Sequence, residues 1–173
     1  MRIVGGKFRG RGSIYLSDEL TRPTTDRVRE NIFNVIGAKI KGARVLDLFS
    51  GSGAMAAESL SRGAKSVVAC DNRREMVEII RKNVAKLGEI DAIFGDFRAV
   101  LAQIESTFDV VFIDPPYDSG FAQVAISLLQ KYELLAKGAV VVVEMDKNSP
   151  ELSQFGQVRK YGRAFVYFLE FNT

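Results

Sequence analysis

The stretch Val45-Leu46-Asp47-Leu48-Phe49 runs straight into Ser50-Gly51-Ser52-Gly53 and then Ala54-Met55-Ala56-Ala57-Glu58-Ser59-Leu60, so an apolar strand breaks at a glycine turn that opens a helix. The same order recurs along the chain. Expected strands near 44–49, 66–71, 91–94, 108–113 and 139–145 alternate with expected helices near 53–62, 73–87, 97–105 and 120–132. That alternation predicts an α/β, doubly wound, Rossmann-like sheet. Two further strands, 157–161 and 164–171 around Gly162-Arg163, predict a closing antiparallel hairpin and bring the count to seven. The aromatic alternation of that hairpin suits core and sheet edge better than a base-stacking surface. At the front, Thr24 or Thr25 is placed to cap a helix through Ile36, with Val28, Ile32, Val35 and Ile36 on its apolar face and Gly37 at its end. Residues 1–20 are expected to form one or two short strands or a hairpin. No internal repeat or long linker divides the chain. Residues 1–40 read as an arm and helix attached to an α/β unit over 41–173.

Gly51 and Gly53 let backbone approach a ligand closely, and the helix they open, with Ser52 as the expected cap, presents free N–H groups to a carboxylate or phosphate. The second strand ends at Asp71, 20 positions after Gly51, the spacing at which a carboxylate meets ribose hydroxyls in dinucleotide folds. Two details speak against a dinucleotide. Ala56 stands where a third glycine belongs, and no positive charge follows in the turn for a diphosphate. S-adenosylmethionine suits the pattern better, because it joins a ribose, an adenine and an amino-acid tail to a sulfonium, and acids complement its charge. Asp47, Asp71, Asp96 and Asp114 fall at or near the ends of four expected strands, where such sheets bind ligands. Each alone is equally a turn or capping acid.

In Phe112-Ile113-Asp114-Pro115-Pro116-Tyr117 the fourth strand ends in an acceptor, two residues without N–H donors and an aromatic ring. Adjacent prolines stiffen the turn and leave carbonyls as acceptors. Tyr117 offers a flat face on which a base stacks for roughly 1–3 kcal/mol. The set suits a planar ring bearing an exocyclic amine. Such an amine is a poor nucleophile, since its lone pair is delocalised into the ring. Accepting both hydrogens, at Asp114 and at a proline-flanked carbonyl, fixes the nitrogen and frees the lone pair. The alkylated nitrogen is acidic, so no strong base is needed and the absence of histidine is no obstacle. A proline pair is also ordinary loop punctuation, and the tetrapeptide alone leaves both uses open.

The chain resembles the class I S-adenosylmethionine-dependent methyltransferases whose fourth strand ends in Asp/Asn-Pro-Pro-Tyr, and among them the RsmD family of guanine-N2 methyltransferases of small-subunit ribosomal RNA. The resemblance rests on Arg2-Ile3-Val4-Gly5-Gly6-Lys7-Phe8-Arg9-Gly10, Arg22-Pro23-Thr24-Thr25-Asp26-Arg27-Val28-Arg29-Glu30, Asp47-Leu48-Phe49-Ser50-Gly51-Ser52-Gly53 and Asp114-Pro115-Pro116-Tyr117. It implies that Asp47, Phe49, Ser50, Gly51 and Gly53 hold the methionine end of the cofactor, with Asp71 and Asn72 at the ribose and Asp96 and Phe97 at the adenine. It further implies that Asp114, Pro115, Pro116 and Tyr117 are catalytic and hold the target base, Asp114 also facing the cofactor. Where relatives more often carry glutamate this chain has Asp71, which shortens the reach.

Residues 1–44 hold 10 Lys and Arg against 4 Asp and Glu, whereas 45–173 hold 14 against 17, so the basic charge is at the front. Arg2, Lys7, Arg9 and Arg11 interleave with glycines in a pattern suited to a phosphate backbone, or to a solvated terminus. With Arg22, Thr24 and Arg27 at the joint to the core, they form the expected RNA-binding set. A single cysteine in a Val-Val-Ala-Cys strand points to an inert buried thiol, and one cysteine with no histidine leaves no zinc site. Neither a signal peptide nor a run of about 18 apolar residues occurs, and a cytoplasmic, monomeric enzyme without metal is expected. A DNA adenine-N6 methyltransferase would use the same tetrapeptide, but no segment is left for a separate target-recognition domain. A non-catalytic RNA-binding assembly factor is the alternative of another class. The short arm suggests that ribosomal proteins already on the RNA help to shape the target.

Overall fold

Seven strands form one sheet in the order β3-β2-β1-β4-β5-β7-β6 in a computed structural model that describes residues 2–12 and 25–171. The strands are β1 Arg44–Asp47, β2 Ser66–Asp71, β3 Glu89–Phe94, β4 Phe108–Ile113, β5 Leu135–Met145, β6 Gly156–Tyr161 and β7 Ala164–Phe171. β1 to β5 are parallel; β7 runs antiparallel between β5 and β6. The helices are α1 Asp26–Ile36, α2 Ala54–Ser61, α3 Arg74–Val84, α4 Phe97–Leu101 and α5 Phe121–Lys131.

Successive strand residues face opposite sides, and both sides are covered. Val45, Val67, Val110, Phe112 and Val142 meet Ile32, Phe33 and Ile36 of α1, Ala57 and Leu60 of α2, and Ile80 and Val84 of α3. Leu46, Val111, Ile113, Val141 and Val143 meet Phe97 and Leu101 of α4 and Ala125 and Leu129 of α5. Each such buried side chain contributes about 1.5–3 kcal/mol relative to exposure, which explains the near-continuous apolar runs in the strands. The hairpin aromatics Tyr167, Phe168 and Phe171 are buried in the same two layers.

Strand order reverses between β1 and β4, and a crevice opens beyond their C-terminal ends. Thr25 caps α1, its hydroxyl accepting from the Val28 amide at 3.3 Å, and Gly37 ends it at φ 57°. A short 3-10 turn over Gly37–Ile40 then leads into β1. Of residues 1–20, expected to form one or two short strands or a hairpin, 2–12 form a string of turns with one antiparallel bridge, Arg2 with Gly12, and the rest lie outside the described residues. Arg22 and Thr24 lie outside the described residues.

Candidate active site

The turn after β1 does not use the expected Ser52 cap. Gly53 takes that position at φ 82° with no side-chain bond, and a fixed acid does the capping instead. Asp47, 3% exposed at the end of β1, accepts from the Ser50 hydroxyl at 2.6 Å and from the backbone amide of Ala56 in the first turn of α2. Burial raises its carboxyl to about 6, against the pull of those two donors and with a small push from Asp71. Ser50 is tied to β2 through its amide on the Cys70 carbonyl at 2.9 Å. Gly51 needs its left-handed φ of 54° to turn the chain back toward α2, whose first residues Ala54 and Met55 border the crevice.

Asp71 closes this turn from the neighbouring strand. Its Oδ2 accepts from the Gly51 amide and its Oδ1 from the Arg73 amide, both at 2.9 Å. Burial is the largest influence on its carboxyl and raises it despite those donors. Asn72 lines the crevice beside it. Asp96 caps α4, accepting from the Arg98 amide at 2.9 Å and pairing with the Arg98 guanidinium at 3.0 Å. Phe97 begins a cluster in which Phe49 and Phe121 lie 5.0 and 5.3 Å from its ring. Arg98 covers the Phe97 and Phe121 rings at 4.6 and 4.7 Å. Cys70 is buried, and desolvation with the nearby acids pushes its thiol up to about 12, so it is a structural thiol.

Asp114-Pro115-Pro116-Tyr117 follow β4 directly and line the same crevice as the glycine turn, opposite it. Asp114 keeps solvent contact through the mouth, yet the surrounding protein strips enough water to raise its carboxyl well above the usual range, and Glu144 and Asp47 add to the rise. Tyr117 stands 52% exposed at the rim, an uncommon degree for a large ring. Ile32, expected only on the apolar face of α1, lines the wall too, as do Met76, Phe121 and Glu144, which did not figure in the sequence expectations. Glu144 was detectable by the criterion that found the other acids, since it ends the apolar run of β5.

The crevice holds about 510 Å³, ordinary for a site that encloses a cofactor and a base edge. Its residues fit S-adenosylmethionine. Carboxylates of Asp47, Asp71 and Asp114 face a space flanked by the start of α2, which suits a cation carrying a carboxylate tail, while Phe97 and Phe121 offer apolar faces for an adenine. A second groove of about 800 Å³ joins it at Tyr117 and Glu144 and is bordered by Thr25, the cap of α1, by Arg27 and Asn31 of that helix, by Lys160 of β6 and by Arg163 of the β6–β7 turn. Arg27 is thus beside the crevice. Lys7, Arg9 and Arg11 line neither cavity. The Lys7 amide is bonded to the Ser61 carbonyl at the end of α2, and Arg11 reaches the Ala85 carbonyl past the end of α3. Those helix ends lie at the edge of the sheet away from the crevice. Arg2 pairs with Asp26 at 3.6 Å. Among the described residues no cluster of His, Cys, Asp and Glu suits a metal ion, and no helix is long and apolar enough to cross a membrane.

Known proteins resemble this chain in sequence and in fold. Ribosomal RNA small subunit methyltransferase D of Escherichia coli is 37% identical over 148 residues, covering 84% of this chain and 75% of that protein. The solved structure of E. coli yhhF superposes with a TM-score of 0.87 at 31% identity, covering 99% of this chain and 98% of that one. The Thermus thermophilus 16S rRNA N2 G1207 methyltransferase, solved with AdoMet and guanosine, matches with a TM-score of 0.69 at 25% identity over 89% of this chain and 44% of that one. A family model described as conserved hypothetical protein 95 matches residues 1–170, and the chain belongs to that family, the RsmD family of methyltransferases.

Proposed function

We propose that this protein transfers a methyl group from S-adenosylmethionine to the exocyclic N2 amine of a guanine in small-subunit ribosomal RNA. The observation that carries it is the single crevice bounded on one side by Asp47, Gly51 and Asp71 and on the other by Asp114-Pro115-Pro116-Tyr117. S-adenosylmethionine supplies an electrophilic methyl on a sulfonium and leaves as the neutral thioether S-adenosylhomocysteine. Asp71 faces the ribose diol, and Asp47 supplies negative charge behind the glycine turn. Tyr117 stacks on a guanine drawn out of its helix or loop. Asp114 accepts one amine hydrogen and the Pro115 carbonyl the other, so the nitrogen lone pair points at the incoming methyl. The methylated nitrogen is cationic for a moment and gives its extra proton to Asp114 or to water. Positioning is the main source of rate.

Arg27, Lys160 and Arg163 are placed to meet the phosphates on either side of that guanine. Arg2, Lys7, Arg9 and Arg11 would contact RNA farther from the crevice, as would Arg22 and Thr24. So small a base-reading surface favours a target shaped by ribosomal proteins already bound, in the cytoplasm where subunits assemble. The purified protein with labelled S-adenosylmethionine is expected to yield N2-methylguanosine in small-subunit RNA from cells that lack it, at one position by mass spectrometry. Transfer to partly assembled particles should exceed transfer to naked transcript. Label in any other nucleoside would overturn the assignment.

A further inference from the structure

Asp114-Pro115-Pro116-Tyr117 grips an exocyclic amine but cannot by itself tell which base carries it. Adenine and cytosine present the same NH2 group as guanine. The bases differ at the ring nitrogen next to the amine. In guanine N1 carries a hydrogen and donates; in adenine N1, and in cytosine N3, a lone pair accepts. A site that selects guanine therefore needs an acceptor beside the one that holds the amine.

Glu144 is such a group. Ile113, the last residue of β4, pairs in parallel register with Val143 of β5, so Asp114, just past β4, and Glu144 of β5 each follow one member of that pair and stand side by side. Adjacent strands lie about 4.8 Å apart, close to the span of a carboxylate pair reaching N2 and N1 of one purine edge. Both residues line the crevice, and Glu144 also lines the groove that meets it at Tyr117, where the base would enter. Their nearness is felt in Asp114, whose carboxyl Glu144 helps to raise.

We infer that Glu144 is the specificity-determining residue of this site, its carboxylate accepting N1–H of the target guanine while Asp114 holds N2. An ionised carboxylate facing the lone pair of adenine N1 or cytosine N3 repels it, so discrimination comes from repulsion as well as attraction. This rests on the guanine-N2 assignment above.

2-Aminopurine tests it, since it keeps the amine of guanine and has a lone pair at N1. The substrate is a reconstituted small-subunit particle in which the methylated guanosine, located by mass spectrometry, is replaced by the 2-aminopurine ribonucleotide. The unaltered protein is expected to favour guanine by about 100-fold or more in kcat/KM. Glu144→Gln, whose amide both donates and accepts, should bring that ratio to within about tenfold, with S-adenosylhomocysteine binding by calorimetry reporting an intact fold. Unaltered protein that methylates both particles within about threefold overturns the role of Glu144, whatever the variant does. A variant that keeps the original ratio does so too. Absence of N2-methylguanosine from the guanine particle itself would instead reject the underlying assignment.

Discussion

The amide nitrogen of Gly51 donates to Asp71 Oδ2 at 2.9 Å, a bond between the turn after β1 and the end of β2. The other oxygen of the same carboxylate takes the Arg73 amide. One acid therefore fixes the glycine turn and the loop that faces it, while its remaining lone pairs are available to a ribose diol. Charge-assisted bonds of this kind contribute about 1.5–3 kcal/mol each. Asp71→Ala should weaken S-adenosylhomocysteine binding by about 10- to 100-fold, measured by titration calorimetry. An unchanged dissociation constant would remove Asp71 from the cofactor site.

Asp114 presents acceptors alone while ionised, whereas its protonated form turns a donor O–H toward the amine and accepts more weakly, and burial, Glu144 and Asp47 all raise its carboxyl. An acid raised in this way loses its charge as pH falls through the raised value. Single-turnover methyl transfer should therefore fall on the acid side at a pH well above the ordinary carboxylate range. Asp114→Asn keeps an acceptor oxygen and cannot titrate, so it should retain measurable turnover and lose that acid limb. Asp114→Ala has no acceptor, and should reduce turnover by about 100-fold or more with cofactor binding nearly intact. An acid limb that survives in Asp114→Asn would assign it to another group.

Strand positions were legible because a parallel sheet buried on both faces demands apolar runs, and β2 carries Val67-Val68-Ala69-Cys70 and β4 Val110-Val111-Phe112-Ile113. The acids at strand ends were legible for the same reason, since Asp47, Asp71 and Asp114 interrupt or terminate such runs. The cap of α2 was not. Ser52 has the right chemistry at the right place, but Asp47 reaches the Ala56 amide from within the sheet, a contact no local pattern encodes. Nor was the course of the arm. Its glycines and basic residues read the same whether free or docked, and its docking partners Glu58 and Ser61 look like ordinary helix residues.

Asp47 links the site to stability. Its carboxyl is raised to about 6 in the folded protein against 3.8 for the free side chain. The folded state then binds more protons between those values, so this residue opposes folding increasingly as pH rises from about 4 to 6 and fully above that, by about 3 kcal/mol. Asp47→Asn keeps an acceptor for the Ser50 hydroxyl and carries no charge. The cofactor-free variant should melt a few degrees higher than the parent at pH 7.5, an advantage that vanishes near pH 4, in scanning fluorimetry at both values. It should also bind S-adenosylhomocysteine less tightly. Equal melting at pH 7.5 would show that the lost acceptor for Ala56 matters as much as the removed charge.

Glu58, 0% exposed on α2, holds the arm in place. It accepts from the Val4 amide at 2.9 Å and from Arg62 at 2.7 Å and lies 3.5 Å from the buried guanidinium of Arg29, which in turn donates to the Arg2 carbonyl at 2.6 Å. Removing one partner of a buried ion pair costs about 3–5 kcal/mol, so Glu58→Ala should lower the melting temperature sharply and is a poor probe of the arm alone. Gly6→Ala is cleaner. A Cβ there would stand 1.9 Å from the Ser61 carbonyl oxygen, at a φ of 76° that alanine disfavours, and the ion cluster would be untouched. Trypsin should then cut after Lys7, Arg9 and Arg11 at least about tenfold faster, because cleavage follows the population of the undocked arm. S-adenosylhomocysteine affinity should not change, since that stretch lies at the far edge of the sheet from the crevice. Equal protection of the arm in the variant would mean that its hold on α2 does not depend on the Gly6–Ser61 approach.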